Sequence, residues 1–208
     1  MSLQKPARLR RTATLRNLVR ETRLSIDDLI RPIFVTHRNK RLEIESMQGQ
    51  FHYPLDEIEK TIDSTIKLGI NGIILFGIPE TKDELGTDTV NENGIIQQAV
   101  RNIRQSFPEL IIITDACFCQ YTTHGHCGIL DRNGSIDRKK SLKQLQEQTI
   151  SHVEAGADFV APSCMIDKMV QYIREALDSG GYEDRGILSY TVKYTSAFYG
   201  PFRDAVNS

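Results

Sequence analysis

The sequence lacks the features that mark membrane proteins, secreted proteins and strongly charged proteins. No run approaches the roughly 18 consecutive apolar residues that a membrane-spanning helix needs, and the amino terminus has no apolar core like that of a secretory signal. The 26 basic and 27 acidic residues leave a formal charge of −1, so no overall field attracts nucleic acid or an anionic membrane. We therefore expect a cytoplasmic protein that binds neither nucleic acid nor membrane.

Cysteine is also scarce, and its placement argues against a disulfide framework. Of the 4 cysteines, three are close together, Cys117, Cys119 and Cys127, whereas Cys164 lies far from them in sequence. Residues two positions apart, as in a CxC pair, are poorly placed to bridge one another. Reduced thiols that bind a metal are therefore favoured over disulfides in a chain of this type.

The charge that is present is unevenly distributed along the chain. Before residue 24 a single acid, Glu21, accompanies the basic residues Lys5, Arg8, Arg10, Arg11, Arg16, Arg20 and Arg23. Such a segment could be a targeting peptide, a nucleic-acid tail or an arm that lies across another subunit, and composition does not separate these. We predict an amino-terminal arm over residues 1–24 and one domain over residues 25–208.

Short apolar runs alternate with longer amphipathic segments in the rest of the chain. The predicted strands are residues 29–35, 73–76, 110–114, 158–161 and 186–190, and the predicted helices are residues 55–68, 94–107, 138–155 and 165–177. This alternation predicts parallel βαβ units, in an open doubly wound sheet or in the first part of a (β/α)₈ barrel. No GxGxxG motif follows the first strand, so nothing favours a dinucleotide-binding fold.

The residues with reactive side chains follow the predicted strands. Asp115 and Cys117 follow the third strand, Ser163 follows the fourth, and Lys193 follows the fifth. In parallel α/β folds the carboxyl ends of the strands form the rim where reactive groups gather. The sequence therefore predicts that these side chains lie on one rim of the sheet.

The three clustered cysteines have the composition of a metal site with an open position. Three protein ligands plus water or substrate is the arrangement of catalytic zinc, whereas four protein ligands usually make a structural site. The alternative is that buried cysteines at a strand end pack as small apolar residues. The count favours a metal site, and we expect His124 and His126, in the same loop, to surround the ligands rather than bind the metal.

Lys193 is the candidate nucleophile. In an extended segment it would share a face with Thr191, opposite Tyr190 and Tyr194, and partial removal from water at a barrel mouth would favour its neutral amine. A neutral amine could add to a ketone and form a Schiff base, although most lysines are solvated surface residues. Arg203 could likewise be a surface cation or could clamp a substrate carboxylate.

Several stretches resemble the porphobilinogen synthase family, also called 5-aminolevulinate dehydratases, along nearly the whole chain. They are LRRTATLRNLVRET at Leu9, IPETKDELGTDTVNENGI at Ile78, DACFCQYTTHGHCG at Asp115, VAPSCMID at Val160, IREALD at Ile173 and SYTVKYTSAFYGPFRDA at Ser189. The resemblance implies a TIM-barrel lyase that condenses two molecules of 5-aminolevulinate into porphobilinogen with loss of two waters, in tetrapyrrole (heme) biosynthesis. A single-lysine, aldolase-like enzyme is disfavoured, because Schiff-base aldolases need no metal.

The resemblance implies a role for each matching residue. Lys193 matches the lysine that forms a Schiff base with one substrate molecule, Asp115 the active-site aspartate, and Arg203 a contact to the substrate carboxylate. The matches to the zinc ligands are Cys117, Cys119 and Cys127, and the matches to pocket positions are Ser163, Tyr199 and Phe202. The resemblance also implies that the basic arm embraces a neighbouring subunit in a homo-oligomer, commonly an octamer.

The sequence departs from the family pattern in two ways. Cys164 stands where the family usually has an acidic residue, and Lys168 where it has glycine. The chain also stops at Ser208, before the part that would hold the remaining strands, a second Schiff-base lysine and the glutamate of an allosteric Mg²⁺ site. We therefore expect a partial barrel of about five βα units that is unstable or inactive alone. The alternative function is a noncatalytic remnant that binds zinc and self-associates.

Overall fold

The structure, a computed structural model that describes residues 6–194 and 196–206, is built around a mainly parallel sheet. Within these residues the strands are β1 Ile30–Thr36, β2 Leu42–Glu43, β3 Phe51–Pro54, β4 Gly72–Ile78, β5 Ile111–Ala116, β6 Phe159–Pro162 and β7 Gly186–Ile187. Their order across the sheet is β2-β3-β1-β4-β5-β6-β7. From β1 through β4, β5, β6 and β7 each strand lies parallel to the one before it. Every crossover therefore adds a strand on the same side, as in a (β/α) barrel.

Helices occupy the crossovers between these strands. The helices of the described residues are α1 Ala13–Leu18, α2 Ile58–Lys67, α3 Ile95–Ser106, α4 Arg138–Ala155, α5 Met169–Ser179 and α6 Tyr199–Val206. The longest, α4, begins after Asp137, whose carboxylate accepts a hydrogen bond from the Lys140 N–H at 3.1 Å. It ends at Gly156, which has a φ of 116° in the left-handed region that glycine adopts without strain.

The main apolar core lies between the sheet and helices α2 and α3. Ile58 and Ile62, on the apolar face predicted for α2, are fully buried in it. On β4 the backbone of Gly77 comes so close to its neighbours that an added Cβ would collide with the Tyr121 hydroxyl and with Ile96. This close approach packs the loop after β5 directly against β4.

The predicted alternation of strands and helices is confirmed, with local differences. Two short strands, β2 and β3, were not predicted; β3 pairs parallel with β1 and β2 pairs antiparallel with β3. β2 is exposed and only two residues long, so the sequence has no apolar run there from which a strand could be predicted. The helix predicted from residue 165 begins only at Met169, because Met165 and Lys168 have φ values of 59° and 68° and cannot continue a right-handed helix.

The predicted arm is described from residue 6 onward, and residues 1–5, including Lys5, lie outside the described residues. It contains α1, whose first turn is capped by the Thr12 hydroxyl accepting a hydrogen bond from the Leu15 N–H at 3.1 Å. α1 has no buried residue, and Leu18 and Leu24 are 77% and 79% exposed. In the described part of the chain, no helix is both long enough and apolar enough to span a bilayer.

Candidate active site

A cavity of about 420 Å³ opens at the carboxyl ends of the parallel strands. Its lining residues come from β4 and β5, from the loops after β5 and β6, from the segment after β7 and from α6. They are Phe76, Asp115, Cys119, Gln120, Gly125, Cys127, Ser163, Tyr190, Lys193, Tyr194, Tyr199, Phe202 and Arg203. The cavity therefore brings together Asp115, Ser163 and Lys193 from the predicted rim, whereas Cys117 is buried and does not line it.

Asp115 lies at the base of the cavity, next to last in β5, where it pairs with Ala161 of β6. It is buried, and both of its carboxyl oxygens accept hydrogen bonds: Oδ1 from the Ser163 hydroxyl at 2.7 Å and Oδ2 from the Gln120 amide at 2.8 Å. Burial and the nearby charge of Cys117 raise the pKa of Asp115 to about 7, against the opposing effects of its hydrogen bonds and of Lys193. Asp115 can therefore exchange a proton near neutral pH.

Gln120 was not predicted as a site residue. It is buried, and the only signal for it in the sequence is its position inside the cysteine-rich run. The Ser163 hydroxyl donates a hydrogen bond to Asp115 and does not cap helix α5, which begins several residues later, at Met169.

The sulfur atoms of Cys117, Cys119 and Cys127 all lie within 4.8 Å of one another. Those of Cys117 and Cys119 are 3.5 Å apart. A tight turn brings them together, because the Phe118 carbonyl accepts hydrogen bonds from the N–H groups of Tyr121 at 2.8 Å and Thr122 at 3.0 Å. Three converging thiols without a carboxylate are a donor set that suits zinc. The residues present therefore fit the metal that the sequence predicts.

The thiols of this cluster influence one another electrostatically. Hydrogen bonds from Cys119, Cys127 and Cys164 lower the pKa of Cys117 well below the ordinary cysteine value. The hydrogen bond to Cys117 in turn raises the pKa of Cys127 to about 12 and raises that of Cys119 further. The cluster thus favours one thiolate, on Cys117, in the absence of a cation.

Helix α4 carries buried side chains that hydrogen-bond to β5 and to the loop of the cysteine cluster. The Gln148 amide donates a hydrogen bond of 3.2 Å to the Cys117 carbonyl, and the residue is fully buried. One turn further, the imidazole Nδ1 of His152 lies 3.0 Å from the Thr114 hydroxyl on β5. Gln148 Oε1 and His152 Nε2 are buried and have no hydrogen-bond partner among the described residues. Burial lowers the pKa of His152 to about 3, so this imidazole is neutral.

The two histidines of the loop do not belong to the group formed by the three sulfurs. His124 Nε2 lies 3.1 Å from the Glu84 carbonyl, and its Nδ1 accepts a hydrogen bond of 3.1 Å from the His126 N–H. Both nitrogens of His124 are therefore engaged with the backbone. The His126 ring lies beside that of His124, with centroids 5.4 Å apart. In this structure both histidines shape the loop that carries Cys127.

Lys193 reaches the cavity from the segment that follows β7. Past the end of β7 the chain stays alongside β6, because the Leu188 N–H donates to the Val160 carbonyl at 2.9 Å and the Tyr190 N–H to the Pro162 carbonyl at 3.2 Å. The side chain of Lys193 is half-buried, and its Nζ lies 5.7 Å from the centroid of the Tyr190 ring. The strand predicted over residues 186–190 is therefore shorter in the structure, where β7 ends at Ile187 and the segment after it is irregular.

The electrostatic surroundings of Lys193 differ from the prediction. Burial favours its neutral amine, as expected, but the negative charges of Cys117, Cys127 and Asp115 outweigh burial, and the pKa of Lys193 is raised. The expectation of a neutral amine from desolvation alone was therefore wrong for the metal-free protein. The sequence could not reveal this, because it did not show that thiolates would lie so near the ammonium.

Helix α6 forms the remaining wall and carries Tyr199, Phe202 and Arg203. The Phe202 ring packs edge-on against Phe76, with centroids 5.3 Å apart. Side chains distant in sequence hold carbonyls of the helix: Ser46 donates to Pro201 at 3.1 Å, His52 Nε2 lies 2.6 Å from Ala205 O, and Lys82 donates to Val206 at 3.2 Å. None of these three anchors was predicted, because only the folded chain brings them to α6.

Comparison with known proteins identifies relatives of this chain. The family model for delta-aminolevulinic acid dehydratase matches residues 3–208. A delta-aminolevulinic acid dehydratase of Ruminiclostridium josui is 47% identical over 204 residues, which cover 98% of this chain and 99% of that relative. The enzyme of the same name from Halalkalibacterium halodurans is 48% identical over 209 residues, covering all of this chain and 63% of that relative.

A solved structure shares the fold. It is the crystal structure of delta-aminolevulinic acid dehydratase (porphobilinogen synthase) from Toxoplasma gondii ME49, in complex with the reaction product porphobilinogen. The TM-score is 0.91 at 35% sequence identity, and the match covers 99% of this chain and 59% of that one. This chain therefore spans less than two thirds of the length of the H. halodurans and T. gondii proteins.

Proposed function

The chain belongs to the delta-aminolevulinic acid dehydratase family, and on that premise we propose that it catalyses the condensation of two molecules of 5-aminolevulinate to porphobilinogen with release of two waters. The observation that carries the proposal is the shared cavity: an amine, a carboxyl group that titrates near neutral pH and two members of a cluster of three thiols face one space of about 420 Å³. The product bound to the T. gondii protein supports the same substrate class by likeness.

Lys193 is the proposed nucleophile toward the first substrate molecule. Its amine adds to the ketone carbon, and the resulting carbinolamine loses water to leave an iminium on Nζ. The negative charges that raise the pKa of Lys193 oppose the loss of its proton, and they come largely from thiolates. Once the thiolate charge is compensated, the burial of Lys193 favours the neutral amine that the addition requires.

The three cysteines are the proposed ligands of a zinc ion. When bound, zinc would compensate the thiolate charge and act as a Lewis acid on the carbonyl or amine of the second substrate molecule. Three ligands leave a coordination position for that substrate. Cys119 and Cys127 line the cavity directly, and Cys117 is buried just behind them, which supports access from the cavity side.

Asp115 is the proposed proton-transfer group, and α6 supplies substrate contacts. Because its pKa of about 7 leaves both forms populated, Asp115 can accept a proton from one substrate atom and return it to another. Ser163 and Gln120 fix both of its oxygens and so fix its direction. Arg203 is the proposed contact for a substrate carboxylate, since a guanidinium fork suits two oxygens, and Tyr199 and Phe202 complete the wall.

The direct test is product formation. The purified protein, loaded with zinc and supplied with 5-aminolevulinate, is expected to form porphobilinogen in a colour assay. Lys193→Arg is the matched variant, because it keeps the positive charge but cannot form the iminium; it should lower the rate at least about a thousandfold. Absence of product from folded, zinc-loaded protein would contradict the proposal and favour a noncatalytic, zinc-binding role.

We also propose that the protein acts in the cytoplasm as a homo-oligomer. The free thiols, three of which form the proposed zinc site, support a reducing compartment.

The exposed apolar residues Leu18 and Leu24 lie on an arm with little contact to the rest of the chain. They support a second copy of the chain as the partner of this arm. Light scattering should give a mass above one chain, and Leu18→Ser combined with Leu24→Ser should lower it; an unchanged monomeric mass in both would refute the oligomer.

A further inference from the structure

Cys164 is a fourth buried thiol beside the three-cysteine cluster, and the proposed reaction does not use it. It lies in the loop after β6, whereas the other three cysteines follow β5. Its sulfur lies 3.4 Å from the Ala116 carbonyl oxygen, to which the thiol donates a hydrogen bond. Its side chain is buried in the same cluster as Cys117, and the two thiols influence each other electrostatically. Cys164 thus reaches the cluster from a second strand end.

Cys117 interacts electrostatically with the thiols of Cys119, Cys127 and Cys164. Cys164 itself lies outside the group whose sulfurs are all within 4.8 Å of one another. To bind a cation shared with that group, its thiol would have to leave the Ala116 carbonyl. The Ser163 N–H donates to the same carbonyl at 3.2 Å and holds the loop that carries Cys164 against the end of β5.

A fourth thiolate ligand would change the zinc site from the catalytic type to the structural type. Three thiolates leave a zinc ion open to substrate, whereas four close it, as in structural zinc sites. We propose that Cys164 is a fourth, exchangeable ligand that closes the metal site when substrate is absent. Cys164 loses its thiol proton to solvent on binding the metal and regains one when a substrate oxygen or nitrogen takes its position. The inference rests on the proposed zinc site and substrate.

Cobalt provides a readout that is independent of turnover. Co²⁺ occupies zinc sites, and its thiolate-to-metal charge-transfer absorbance grows with the number of bound sulfurs. The reduced wild-type protein with one equivalent of Co²⁺ should show the absorbance of four thiolates. Cys164→Ser should lower it by about a quarter, to that of three thiolates. Ile166→Val, a conservative change in the same buried loop, is the matched control and should leave the absorbance unchanged.

Addition of substrate should change the cobalt absorbance in the same way as the Cys164→Ser substitution. Addition of 5-aminolevulinate to the cobalt-loaded wild type should lower its absorbance to that of Cys164→Ser, which should itself change little. Zinc affinity in a chelator competition should fall at least about tenfold in both Cys164→Ser and Cys164→Ala. Using both variants separates the loss of a ligand from an effect of the new hydroxyl.

The outcomes also distinguish this inference from the proposed function. Equal absorbance and equal zinc affinity in the wild type and both Cys164 variants would overturn the fourth ligand and leave the three-cysteine zinc site intact. A wild type with four thiolates that substrate does not displace would overturn the exchange. Failure of the reduced wild type to bind either Co²⁺ or Zn²⁺ would overturn both the inference and the proposed zinc site.

Discussion

The candidate site has two halves that the fold supports very differently. The thiol half, with Asp115 and the cysteines, is buried and is tied to β5, β6 and α4 by hydrogen bonds from Ser163 and Gln148. The lysine half lies on the segment after β7 and on α6, where Val192, Tyr194 and Phe198 are 56%, 76% and 88% exposed. The sheet therefore fixes the proposed metal ligands, whereas a few long-range hydrogen bonds position the proposed substrate contacts. Metal binding should accordingly be insensitive to damage in the lysine half.

The largest expected effect is the loss of the metal from the thiol half. Cys117 contacts both other ligands, so Cys117→Ser should abolish stoichiometric zinc binding, measured by metal analysis after dialysis. Lys193→Met is the matched control from the other half and should keep one zinc per chain. Retention of one zinc by folded Cys117→Ser would show that the cluster is not the metal site.

Acid should destabilise the folded protein through His152, the buried histidine of α4 beside the thiol half. The unfolded chain protonates this histidine below about pH 6.5, whereas burial lowers the pKa in the folded protein to about 3. In that window the unfolded state binds more protons, so the free energy of unfolding decreases as the pH falls from about 6.5 toward 3. His152→Gln should flatten this dependence in urea unfolding series.

His37→Gln is the control for the acid experiment, because His37 is only half-buried and follows β1, which β4 separates from β5 in the sheet. It should leave the pH dependence unchanged. An equal slope for the wild type and His152→Gln would contradict the role assigned to the buried imidazole.

A smaller effect is expected from the hydrogen bond behind the cluster. Gln148→Leu removes the hydrogen-bond donor to the Cys117 carbonyl. Zinc affinity should fall roughly tenfold, because the hydrogen-bond partners of a metal ligand hold it in the orientation that metal binding requires. Gln146→Leu, on the same helix and bonded instead to the Tyr172 carbonyl, is the matched control. Equal zinc affinities in a chelator titration would show that α4 does not tune the site.

The smallest effect on the metal is expected from the anchors of the lysine half. His52→Phe removes the hydrogen bond to Ala205 and should loosen α6, which carries Arg203. We expect KM for 5-aminolevulinate to rise several-fold while zinc affinity stays the same. A loss of zinc in this variant would mean that the two halves are not independent.

The sequence predicted that the three thiols lie close together, because they are neighbours along the chain. Cys117, Cys119 and Cys127 follow β5 in one loop, so a shared cation could be predicted from their spacing. The alternating strands and helices were likewise readable, since buried strands and amphipathic helices leave local patterns. The residues that were missed act across long distances in sequence. His52 and Lys82 reach α6, and Gln148 reaches Cys117, only after the sheet has formed.

The charge state of Lys193 was the clearest failure of sequence reasoning. Burial was foreseen and would favour the neutral amine, but the nearby thiolates and Asp115 reverse the direction. Such a balance depends on distances between side chains from three different loops. It also links the two halves chemically, because compensation of the thiolate charge is what would free the amine to react.

Trapping with borohydride tests this link most directly. Zinc-loaded protein reduced in the presence of 5-aminolevulinate should gain the mass of one dehydrated, reduced substrate on Lys193, located by peptide mass spectrometry. The Cys117→Ser variant, which lacks bound zinc, should also be run. Modification of Lys193 in the zinc-loaded protein is the predicted result. Absence of any adduct at Lys193 on folded, zinc-loaded protein would contradict the central claim that one cavity joins a metal-binding thiol cluster to a reactive amine.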